Sequence, residues 1–131
     1  MEFLQTNGNV KWLIYIFILL FISLCGYKVI AQIYSPYWQD LSDTASGVVT
    51  GHPQWIAYQN RLLGPYLVNL ISAIGLSNVS AVKVFSLLTI TIQNFVFFGL
   101  LAKTGIPFRK SVLYVVFYSF AFICIQDYGF Y

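Results

Sequence analysis

Three apolar runs, residues 12–33, 79–101 and 111–126, set the pattern of the chain, and the intervals between them differ in kind. Residues 35–78 are polar, aromatic and glycine-containing, whereas residues 102–110 are short and basic. About twenty helical residues, at about 1.5 Å each, cover the roughly 30 Å hydrocarbon core of a bilayer, so the runs are predicted to be three membrane-spanning helices. From Trp12 to Tyr27 the first run has no charged side chain; Lys28 follows, where a long stem carries the ammonium to the interface. Trp12 and Tyr15 before it, and Tyr34, Tyr37 and Trp38 after it, fit the aromatic belts of a bilayer. Pro36 lacks an N–H and disfavours helical geometry at Ser35, so the helix should end there.

Gln39 to Gly51 is the wettest stretch, with Asp40, Ser42, Asp43, Thr44, Ser46 and Gly47, and is expected as a solvated loop or short loop helix. His52-Pro53 reads as a helix start, with Pro53 at the first helical position, and Gly64-Pro65 as a kink or interruption. Over residues 62–76, Leu62, Leu63, Tyr66, Leu67, Leu70, Ile71 and Ile74 recur at helical spacing, while Pro65, Asn69 and Ser72 fall opposite. That is an amphipathic helix of about 22 Å, short for a span and suited to lie in the interface or re-enter the membrane.

The run over 79–101, with Ser77 or Asn78 as its cap, carries Lys83, Ser86, Gln93 and Asn94 within about 100° of one another. Polar groups at membrane depth are costly unless paired, so Lys83, Gln93 and Asn94 are expected to serve helix packing. Lys103, Arg109 and Lys110, with no acid among them, mark 102–110 as the cytoplasmic loop. The expected fold is therefore all-α: an integral membrane protein with three transmembrane helices plus the interfacial or re-entrant helix. Its amino terminus is in the cytoplasm, and residues 35–78 and Asp127 are outside. A bacterial inner membrane is the expected location.

Composition sharpens this picture. Of 131 residues, 59% are hydrophobic, 19% aromatic and 8% charged, which is far from a soluble domain. The net charge of +3 comes from few, scattered groups, and no basic cluster is long enough to follow a nucleic-acid backbone. Cys25 and Cys124 lie alone in apolar runs, outside zinc or disulfide spacings. The first run lacks a small-residue cleavage site and reads as an uncleaved anchor.

Chemistry concentrates outside. Asp40 or Asp43 could act as a general base or hold a divalent metal, Arg61 could pair a phosphate through its planar fork, and Asp127 emerges on the same side. The plainer reading has the aspartates capping a short helix and Arg61 snorkelling.

A long first span, an aspartate soon after it, an interfacial helix and the stretch Arg61-Leu62-Leu63-Gly64-Pro65-Tyr66-Leu67 resemble the amino-terminal part of GT-C type polyprenyl-phosphate-dependent glycosyltransferases. The resemblance implies that Asp40 or Asp43 is the acceptor-activating acid, often assisted by a divalent metal, that Asp127 is a second acid, and that Arg61 contacts the donor phosphate. It also implies a lipid-linked sugar as partner. The chain departs from that family in having no adjacent acidic pair and only three spans, so a piece of a longer protein is expected. Two other readings stay open: a small non-catalytic subunit packing on other membrane helices, and a transporter fragment dependent on Lys83.

Overall fold

The computed structural model describes residues 8–52 and 63–128, with side chains for 12–52 and 63–121. Within them the regular elements are α1 (Gly8–Ile33), a 3-10 turn (Ser35–Tyr37), α2 (Trp38–Val49), α3 (Leu63–Ser72), α4 (Asn78–Lys103) and α5 (Phe108–Tyr128). The chain divides into two compact units, Met1–Lys28 with Ile90–Tyr131, and Val29–Thr89. Among the described residues, two helices are long and apolar enough to cross a membrane: Trp12–Ile33, 22 residues, and Asn78–Lys103, 26 residues. Only 28% and 17% of their most apolar windows are buried, whereas a core helix of a soluble protein would be mostly covered.

Local chemistry accounts for the helix ends. α1 stops before Pro36: the Tyr34 N–H still donates to Ile30 O at 2.9 Å, and the Tyr37 N–H closes the tight turn on Tyr34 O at 2.9 Å. Just past the end of α2 lies Gly51, whose φ of 76° is open to glycine at little cost. There His52 N–H reaches Gly47 O at 2.8 Å and Gly51 N–H reaches Val48 O at 3.4 Å, the paired bonds of a Schellman end. Ser77 caps α4, its Oγ accepting the Ser80 N–H at 3.3 Å.

Two sequence expectations sharpen. The wet stretch takes the helical one of its two expected forms, as a 12-residue helix. Its hydroxyls turn back on their own helix, Thr44 donating to Asp40 O at 2.7 Å and Ser46 to Ser42 O at 3.0 Å, which satisfies polar groups that would otherwise favour irregular backbone. The basic loop also contracts: Lys103 lies in the last turn of α4, and Arg109 and Lys110 lie in the first turn of α5. The kink expected at Gly64-Pro65 falls in the first described turn of α3; residues 53–62 before it lie outside the described residues.

Burial departs from the pattern of a soluble domain, with many large apolar side chains left exposed. Buried positions in α1 are Leu19, Ser23, Gly26 and Ile30, and those in α5 are Ser111, Val115 and Ser119, so small and hydroxyl-bearing residues occupy much of the interior. Phe17, Phe21, Ile92, Val96, Phe117 and Phe120 face outward. Water-soluble chains bury such side chains first, whereas helices in an apolar solvent pack through small residues and side-chain hydrogen bonds.

In the unit formed by Met1–Lys28 and Ile90–Tyr131, Leu19, Phe98 and Val115 form the core, ringed by Tyr15, Phe95 and Phe108 among others. Tyr15 stacks on Phe108 with ring centroids 3.9 Å apart. In the Val29–Thr89 unit, α2 packs against α3. The inward face of α3 runs through Gly64, Val68 and Ser72, four residues apart, while Leu63, Tyr66, Leu67 and Leu70 are exposed. The amphipathic stripe is present, and its large residues face away from the rest of the unit.

A Cβ built at Gly64 would meet only the Phe85 ring, at 3.9 Å, an ordinary contact. Gly64→Ala is therefore expected to stabilise by about 0.5–1 kcal/mol, because a helical glycine costs about that much relative to alanine. A detergent-titration unfolding midpoint that falls instead would show that this backbone position is under a constraint the packing does not reveal.

Candidate functional site

The acid-bearing surface is one side of α2. Trp38, Ser42, Thr44 and Val48 are buried, and Gln39, Asp40 and Asp43 are exposed. Three residues apart, the two aspartates lie about 60° from each other around the helix, on one face. Gln39 Nε2 donates to Asp43 Oδ1 at 3.0 Å, which orients that carboxylate without a neutralising charge. Asp40 is in the first turn, where the positive end of the helix dipole favours an anion. Pinning of the opposite face against α3 gives both groups a fixed base while leaving them open to solvent.

Polar bonds tie this unit together. Ser72 Oγ donates to Asn78 Oδ1 at 2.7 Å, and Asn78 Nδ2 donates to Ser46 Oγ at 3.3 Å, linking α3, the start of α4 and α2. Asn78 was legible as a cap candidate, but its side chain instead bridges helices, and Ser77 does the capping. Lys83 is half-buried, with Nζ 5.7 Å from the centre of the Trp38 ring.

Gln93 and Asn94 belong to the other unit and make separate contacts. Gln93 Nε2 donates to Tyr118 Oη at 2.6 Å. Asn94 is 2% exposed; its Nδ2 donates to Ser23 Oγ at 3.0 Å and its Oδ1 accepts from Ser119 Oγ at 2.7 Å. One amide thus joins α1, α4 and α5. Ser23 and Ser119 were not singled out from the sequence, although the four-residue spacing of Ser111, Val115 and Ser119 was there to be read. Lys83, Gln93 and Asn94, grouped by helical angle, meet different neighbours: Trp38, Tyr118, and Ser23 with Ser119.

Arg61 lies outside the described residues, and so does the side chain of Asp127, although its backbone is in the last turn of α5. Among the described residues no three His, Cys, Asp or Glu side chains gather as a metal-binding group. No protein-family model matches the chain, and neither does any curated protein sequence or solved structure.

Proposed function

We propose that the chain is a three-span integral membrane protein and forms the amino-terminal membrane part of a glycosyltransferase that uses a polyprenyl-phosphate sugar. α2 is its acid-bearing surface at the headgroup level. The observation that carries this reading is the pairing of α2 with α3: two open carboxylates stand on a helix packed against another whose large apolar residues face outward. A lipid-linked substrate has that same division, with an apolar chain beside a phosphate and a sugar.

In this reading Asp40 and Asp43 take the acceptor's proton or hold a divalent cation, with Arg61 and Asp127 as further contacts. The exposed apolar faces of α1, α4 and α5 meet lipid or further helices. Lys103, Arg109 and Lys110 hold their end in the cytoplasm. Arg109 and Lys110 oppose the dipole at the start of α5, so helix stability does not explain them. A purely non-catalytic subunit packing through the polar stripe is less well supported, because the Asn94 amide is already engaged within the chain. The test is transfer by the full-length protein carrying Asp40→Asn or Asp43→Asn; unchanged turnover in both removes α2 from the reaction.

A further inference from the structure

Among the described residues, Lys83 has no carboxylate partner. Among the described residues of the Val29–Thr89 unit the acids are Asp40 and Asp43; Asp43 is engaged by Gln39, and no ion pair to Lys83 is formed. The ammonium instead lies over the face of Trp38, which is 7% exposed and therefore a fixed platform. Lys83 also lies on the early part of α4, nearer the positive end of the helix, where the dipole offers a cation nothing. A half-buried ammonium on an apolar helix has three donors, and the ring satisfies none of them as a hydrogen-bond acceptor would. No described residue supplies Lys83 with an anion, and the side chain remains half open to receive one.

We propose that Lys83, steadied by the Trp38 ring, binds the phosphate of a bilayer phospholipid headgroup. The apolar outward faces of the helices around it supply the acyl-chain environment, and the ring restricts the lysine so that less freedom is lost when the phosphate arrives. The proposal does not use Asp40 or Asp43.

The test loads the full-length protein, purified in detergent, with phosphatidylglycerol or with diacylglycerol of the same acyl chains. Lipid retained after washing is counted by mass spectrometry. Phosphatidylglycerol should be retained several-fold more than diacylglycerol, Lys83→Met should abolish the difference, and Lys83→Arg should keep most of it. Helix content and elution volume establish that each variant is folded. Equal retention by Lys83→Met and the parent protein would overturn the proposal. So would displacement of phosphatidylglycerol by inorganic phosphate, or preferential displacement by an equimolar polyprenyl phosphate, since either assigns the cation to a different anion. Because lipid retention is read without any transfer assay, a failure here leaves the role of α2 intact, and inactive aspartate variants that still retain lipid leave this site intact.

Discussion

Asp43→Asn, or Asp40→Asn, in the full-length protein is expected, on the proposed transferase role, to lower sugar transfer by about 10²- to 10⁴-fold while leaving membrane insertion and the unfolding midpoint nearly unchanged. The magnitude follows from what a positioned base contributes, since an amide of the same shape cannot take a proton. The small structural effect follows from exposure: both side chains project from α2 on the side opposite its buried face. Asp43→Asn can still accept the Gln39 bond through its amide oxygen, so its loss of activity would not come from a collapsed helix. Asp40→Asn sacrifices an interaction with the helix dipole of about 0.3–1 kcal/mol, a shift small enough to separate from chemistry. Gln39→Ala is the intermediate variant. It leaves the Asp43 carboxylate in place but removes its orienting donor, so a decline well short of that of Asp43→Asn is expected. A Gln39→Ala protein as inactive as Asp43→Asn would mean that geometry, and not proton transfer, limits the reaction.

The parts of this fold that could be read from the chain are those where one physical signal dominates. Pro36 ends α1 because its ring and missing N–H disfavour continuing the helix, and the apolar runs stand out because they are long and carry few charges. α2 was harder to read: Asp40, Ser42, Asp43, Thr44 and Ser46 look like loop residues individually, and only the back-bonding of their hydroxyls lets them share a helix. For α3, spacing identified the apolar stripe correctly but not the direction it faces. That direction depends on the solvent, and Gly64, Val68 and Ser72 take the interior while leucines take the outside. The polar positions of α4 illustrate a further limit. Angular proximity on a helix says that residues share a face, but the partners that meet that face come from elsewhere in the chain, as Trp38, Tyr118, Ser23 and Ser119 do here.

Ser119→Ala is expected to destabilise by about 1–3 kcal/mol, nearly as much as Asn94→Ala, although it removes a single oxygen. Asn94 Oδ1 accepts from Ser119 Oγ, and without that donor a buried carbonyl oxygen is left with no described partner in apolar surroundings. Asn94→Ala removes both interhelical bonds but strands neither serine: Ser23 Oγ still donates to Leu19 O at 2.8 Å and Ser119 Oγ to Val115 O at 2.8 Å. Its cost is then two side-chain bonds at roughly 0.6 kcal/mol each, up to about 1.7, together with a small cavity. The double variant Asn94→Ala with Ser119→Ala has no orphaned oxygen and should be little worse than Asn94→Ala alone. A double-mutant cycle followed by denaturant titration should accordingly show a coupling of about 1 kcal/mol or more, in the sense that the two losses together are smaller than their sum. Losses that add within about 0.3–0.5 kcal/mol would mean the two side chains act independently. In that case the joining of α1, α4 and α5 would rest on the apolar contacts of Leu19, Phe98 and Val115 rather than on the Asn94 amide.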